Sequence, residues 1–160
     1  MSLEPSAEMA KIAKTLPEPE ATQFPYELLT IQDKTAFLAG QIPKIGGKLA
    51  YVGIVGQRVT LEQAHNAARI CAEQALAWLN HSAGGLENLD RILRLTCYVA
   101  HDDGFDRISD VANGASSYLN ATLGDRGRHA RSVLGVKSLP RNSPVLIEFT
   151  AALRSPVSTG

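Results

Sequence analysis

The sequence predicts an α+β fold in which two long helices pack on one face of a mixed β-sheet. Three observations predict it. Leu89–Ala100 and Val145–Leu153 alternate apolar and polar residues with the period of two that a half-buried strand requires. Residues 60–83 carry apolar and small side chains at helical spacing behind a capping signature. The chain has 160 residues, 44% of them hydrophobic, which suits one core in one domain.

The elements follow in order. Ala7 to Leu16 has helix-favouring composition, with Ile12 and Leu16 four apart, and Pro17-Glu-Pro19 stops it. Residues 1–20 are therefore expected to form an accessory N-terminal helix and linker, ahead of a single domain over 21–154 and a tail over 155–160. Leu28 to Ile31 and Thr35 to Gln41 read as strands joined by Gln32-Asp33-Lys34. Pro43 and Gly46-Gly47 make a loop, and Leu49 to Val55 is expected to hold a short extended piece.

Thr60-Leu-Glu-Gln63 is a capping box, so Thr60 opens the first long helix. Its stripe runs through Leu61, Ala64, Ala68, Cys71, Ala75, Leu76 and Leu79 and ends near Gly84-Gly85. In the next strand Leu93, Leu95, Cys97 and Val99 are expected on one face, with Arg94, Thr96 and Tyr98 on the other. Asp102 or Asp103 is expected to cap a second helix running through Phe105, Ile108, Val111, Ala115 and Leu119 to Gly124. Ala130 to Val136 is a strand, Pro140 to Pro144 a turn, and Val145 to Leu153 the last strand.

Composition sets limits on function. Sixteen Lys+Arg balance sixteen Asp+Glu, without the basic excess by which nucleic-acid binders displace counterions. No apolar run reaches the roughly 18–20 residues that span a bilayer, and no secretory signal pattern opens the chain. Cys71 and Cys97 form no disulfide framework or CxxC site and read as small buried side chains, which makes the cytoplasm the expected compartment. His65, His81, His101 and His129 show no metal-ligand spacing and read as surface or structural residues, and no cofactor or metal is expected.

Two neighbourhoods carry chemistry. At Ala39-Gly40-Gln41-Ile42-Pro43 a strand runs into glycine, which suits either a plain bulge or the close approach of a ligand. At Gly127-Arg-His-Ala-Arg-Ser132 an arginine opens a strand. Arg131 there serves either a structural ion pair or the recognition of a carboxylate by its planar fork. If a hairpin turns near Pro140-Arg141, Val133 faces Glu148 and Arg131 lies diagonal to Glu148 on the same face. That register would either pair an anion anchor with a proton-handling carboxylate or let the two charges neutralise each other.

Taken in order, the segments Phe37-Leu-Ala-Gly-Gln-Ile-Pro43, Gly47-Lys-Leu-Ala-Tyr-Val-Gly53, Leu89-Asp-Arg-Ile-Leu-Arg-Leu-Thr96, Asn113-Gly-Ala-Ser116, Gly127–Ser132, Leu139-Pro140 and Pro144-Val-Leu-Ile-Glu148 resemble the Rid/YjgF superfamily. These are the reactive intermediate deaminases, also labelled endoribonuclease L-PSP, and the chain resembles a divergent branch across residues 24–153. The resemblance implies a chorismate-mutase-like fold and a homotrimer with a barrel-like core of sheets and ligand clefts between subunits. It implies that Arg131 holds the carboxylate of a 2-imino or enamino acid while a glutamate on the last strand activates water, without metal or cofactor. Tyr26, Ala39, Gly40, Asn113 and Val133 are the implied substrate-binding residues.

Two departures accompany the match. The family's serine before Gly-Gln is Ala39 here, and counting from Pro140 sets the usual catalytic glutamate at Leu146, with Glu148 two residues on. Residues 146 and 148 share a strand face about 6.8 Å apart. The leading expectation is a protein that binds a small carboxylate and hydrolyses imines. A catalytically silent metabolite-binding trimer is the alternative, and an endoribonuclease ranks third.

Overall fold

The computed structural model describes residues 7–158. The outermost parts of the expected N-terminal segment and tail, residues 1–6 and 159–160, lie outside the described residues. The elements are α1 (Ala7–Ala13), β1 (Leu29–Gln32), β2 (Thr35–Gln41), β3 (Lys44–Ile45), β4 (Lys48–Leu49), α2 (Leu61–Ser82), β5 (Leu89–Ala100), α3 (Ile108–Leu123), β6 (Ala130–Val136) and β7 (Val145–Leu153). Five strands form a mixed sheet in the order β1-β2-β7-β5-β6, with only the β5–β6 pair parallel. The α+β class read from the sequence is the observed one.

Local chemistry explains the elements. The Thr60 Oγ1 accepts from the Gln63 amide at 3.1 Å while Gln63 Oε1 accepts from the Thr60 amide at 3.0 Å, closing the capping box that starts α2. Ala64, Ala67, Ala68, Cys71, Ala72 and Ala75 are buried along α2, and such small side chains bring its backbone close to α3. At the crossing, a Cβ on Gly114 would collide with the His65 backbone carbonyl oxygen, so glycine permits the contact. Both helices cover one face of the sheet, where Leu95, Cys97, Val99, Ile147, Phe149 and Ala151 are buried.

Four expectations change. The β6–β7 hairpin does not form: β6 lies parallel to β5, and β7 inserts between β2 and β5. The apolar load of each strand accounts for this. β7 presents five buried side chains, Val145, Ile147, Phe149, Ala151 and Leu153, and takes a central place; β6 has no fully buried residue and takes an edge. Second, Leu93 is 40% exposed and Ile92 is buried in its stead, because the ladder to β7 shifts register between Ile92 and Arg94.

Third, α3 begins at Ile108 without a side-chain cap. Asp102 and Asp103 stand before a loop whose Phe105 packs near the His101 ring, centroids 6.1 Å apart. Fourth, the extended piece expected over Leu49–Val55 shrinks to the two-residue β4; beyond it, Val55 makes only isolated bridges to Val59 and His101.

Candidate functional site

Register decides which predicted site residues meet. Leu95 pairs with Arg131 on one side and Phe149 on the other, while the next residue, Thr96, pairs with Ser132 and Glu148. Directly paired residues share a face, so Arg131 lies on the helix-covered face and Glu148 on the open one. The expected same-face Arg131–Glu148 diagonal is therefore corrected: within one chain a strand separates them and they point to opposite sides.

The Arg131 side is built from β6 and α3. Arg131 Nη1 donates to Asn113 Oδ1 at 2.8 Å and to Ser116 Oγ at 3.2 Å. Both bonds fall on one nitrogen, which leaves Nη2 and Nε as the free edge of the fork, the geometry that takes a carboxylate bidentately. Ser116, Asn120, Arg128, His129 and Arg131 line a depression of about 250 Å³ there. Val133, two residues along the same face, pairs with Cys97 and packs on the core. Burial pushes the Cys97 thiol up to about 12, with the nearby Arg131 charge pulling it the other way.

The Glu148 side is a long groove of about 1540 Å³ on which Tyr26, Gly40, Tyr98, Arg141, Leu146 and Glu148 open. Between the paired positions Leu38–Phe149 and Gln41–Ile147, the two residues Ala39 and Gly40 oppose the single residue Glu148. This β-bulge re-aims the strand beside the carboxylate. A Cβ at Gly40 would lie 2.5 Å from Leu146 Cδ2, so any larger residue would displace Leu146 from its place over the bulge. Gln74 of α2 holds the adjoining backbone from both directions, accepting from the Lys44 amide at 3.1 Å and donating to the Ile42 carbonyl at 2.7 Å.

Glu148 Oε1 accepts from the Tyr98 hydroxyl at 3.1 Å. That bond, then desolvation and the carboxylate charge, raise the Tyr98 phenol above its ordinary 10.0. The cations lining this groove are Lys44, Arg69 and Arg141, and Arg131 is not among them.

The structure thus groups Arg131, Asn113 and Val133 on one side, and Tyr26, Gly40 and Glu148 on the other, with Ala39 in the bulge. Sequence reasoning missed Tyr98, Ser116, His129 and Arg141. The alternation of β5 already placed Tyr98 on the polar face with Arg94 and Thr96 and was the available signal. Ser116 and His129 lie within the Asn113–Ser116 and Gly127–Ser132 segments, but only the packing of α3 on β6 links them to the Arg131 guanidinium. Among the described residues, no group of three or more His, Cys, Asp or Glu is placed to hold a metal ion. No described helix is long and apolar enough to cross a membrane.

This fold is that of a known class. Residues 7–153 match the family described as "YjgF/chorismate_mutase-like, putative endoribonuclease". The chain belongs to this YjgF/Rid family. It is 29% identical over 153 residues to Protein TCP17 of Trypanosoma cruzi, covering 94% of each chain. Among solved structures, it resembles Atu1372 of Agrobacterium tumefaciens at 33% identity and a TM-score of 0.81, covering 91% of this chain and 89% of that one. It also resembles a "putative endoribonuclease" of Shewanella oneidensis MR-1 at 28% identity and a TM-score of 0.86, covering 92% and 100%.

Proposed function

We propose that the protein is a Rid-type deaminase that hydrolyses small 2-imino or enamino acids in a cleft between subunits of a homotrimer. The observation that carries this reading is the free Nη2/Nε edge of Arg131 on one face of a chain whose Glu148 groove opens on the other. Two half-sites on opposite faces are completed when the Arg131 side of one subunit meets the Glu148 groove of the next. The open sheet face supports such an assembly, since Phe37 and Leu134 are 49% and 45% exposed there.

In this reading Arg131 takes the substrate carboxylate and Glu148 takes a proton from water as its oxygen adds to C2 of the imine. Glu148 returns that proton to the nitrogen. Glu148 next takes the carbinolamine hydroxyl proton and passes it to the amine nitrogen, so that the C=O bond forms as the C–N bond breaks and a 2-keto acid and ammonia leave. Gly40 leaves room for Leu146 at the bulge beside Glu148, and Tyr26 and Asn113 border the two halves.

The test is keto-acid release from freshly generated 2-iminobutyrate. Wild type should accelerate it over buffer, and Glu148→Gln should lose roughly 100-fold or more while still binding 2-oxobutyrate. Light scattering should give three times the 17.2 kDa chain mass. No acceleration across several imines removes the deaminase reading. It would leave the second one, a silent metabolite-binding trimer, which the packing of Leu146 over Gly40 favours.

A further inference from the structure

His129 reads from sequence as a structural residue, yet it stands at the end of a directed hydrogen-bond relay that terminates on Arg131. Its Nδ1 lies 2.5 Å from the Gly127 carbonyl oxygen, and its Nε2 lies 2.9 Å from Ser116 Oγ. A carbonyl only accepts, so Nδ1 carries the proton and, in the neutral ring, Nε2 is an acceptor. Ser116 has one hydroxyl proton, and it goes to Nε2. The serine lone pairs are thereby turned away from the imidazole and accept from Arg131 Nη1 at 3.2 Å.

The direction of every bond follows from the first. Gly127 is buried in the short helical turn Gly124–Gly127, where a Cβ would collide with the Leu119 carbonyl oxygen, so the terminal acceptor rests against α3 backbone. A second acceptor, Asn113 Oδ1, takes the same Arg131 nitrogen at 2.8 Å.

We propose that Ser116 and His129 are positioning residues that hold the Arg131 guanidinium with its Nη2/Nε edge outward, and so set the affinity for the ligand carboxylate. This inference rests on Arg131 being the anchor. An arginine side chain carries several rotatable bonds, and a fork pinned at one nitrogen loses less freedom when it closes on a carboxylate. His129 acts on the guanidinium through Ser116. The relay therefore governs binding rather than the chemical step.

The experiment compares His129→Phe, His129→Gln and Ser116→Ala with wild type, each checked for folding by circular dichroism. Phenylalanine keeps the ring volume but removes the acceptor; glutamine returns an acceptor near the place of Nε2. His129→Phe and Ser116→Ala should weaken 2-oxobutyrate binding about three- to tenfold, the worth of one or two hydrogen bonds, and raise KM while leaving kcat within about twofold. Their effects should not add, because both cut the same relay. His129→Gln should remain close to wild type.

The ¹⁵N-edited Nε–H signal of Arg131 reads the pinning without any ligand and should broaden or vanish in His129→Phe. An unmoved signal, or His129→Gln behaving as His129→Phe, overturns the relay. If Arg131→Ala binds 2-oxobutyrate as wild type does, the anchor reading fails, and the positioning role fails with it.

Discussion

The Tyr98 hydroxyl donates to Glu148 across the β5–β7 ladder, from a position diagonal to it on the open face of the sheet. Directly opposite Glu148 stands Thr96, and directly opposite Tyr98 stands Leu146. The carboxylate is therefore flanked by the phenol on one side and by the Ala39–Gly40 bulge on the other. The phenol is in turn held protonated by the carboxylate, which penalises phenolate through both the bond and its charge. Glu148→Ala removes both causes. Tyr98 should then titrate at lower pH, closer to its ordinary 10.0, in a ring-carbon NMR titration. An unchanged titration would show that the bond does not persist in solution.

Arg131 should not be replaceable by lysine. An ammonium offers a single point charge, whereas Asn113 and Ser116 hold one guanidinium nitrogen and leave an edge of two donors. Both Arg131→Ala and Arg131→Lys should lower kcat/KM roughly 10- to 100-fold, the loss expected when hydrogen bonds to a charged group disappear. Steady-state kinetics on 2-iminobutyrate would check this, and a fully active lysine variant would rule out bidentate recognition.

Gly114 tests the helix packing. Alanine there would drive a methyl into the His65 carbonyl oxygen, and α2 and α3 would have to separate along a seam of small residues. Overpacking of this kind costs about 1–3 kcal/mol, occasionally more. Urea unfolding of Gly114→Ala should show it as a lower midpoint with an unchanged slope. A neutral result would mean that the helices slide without cost.

Alkaline pH should destabilise the fold. Burial holds Cys71 well above its ordinary 9.0 and pushes Cys97 up to about 12. Tyr118 reaches about 12 through burial and the charge of Glu73, and Tyr98 is raised by Glu148. Each is an acid kept protonated by folding. Above its ordinary value the native chain binds more protons than the unfolded one, so stability falls as pH rises. Tm should hold steady up to about pH 9 and then drop progressively towards pH 12. Cys97→Ala should shallow the drop, and an unchanged slope in that variant would exclude Cys97 as a contributor.

Local patterns carried much of the architecture. The Thr60–Gln63 pair placed the start of α2, and the unbroken alternation of Val145–Leu153 assigned every residue of β7 to its face, because these signals depend on neighbours three or two residues away. The same logic failed at Leu93, where a bulge set by the partner strand shifts the phase. It failed again ahead of α3, where the aspartates at 102 and 103 sit in a loop rather than at the helix start.

By itself, the sequence determined the α+β class and the family motifs, and it singled out Arg131, Gly40 and Glu148 as candidates. Only the tertiary structure decided that Arg131 and Glu148 point to opposite faces, that Ala39 and Gly40 bulge against Glu148, and that Ser116 links His129 to Arg131. The physical reason is strand order. Which strand occupies the centre is settled by how much apolar surface each can bury in the finished sheet, and β7, rather than β6, had the side chains to fill it.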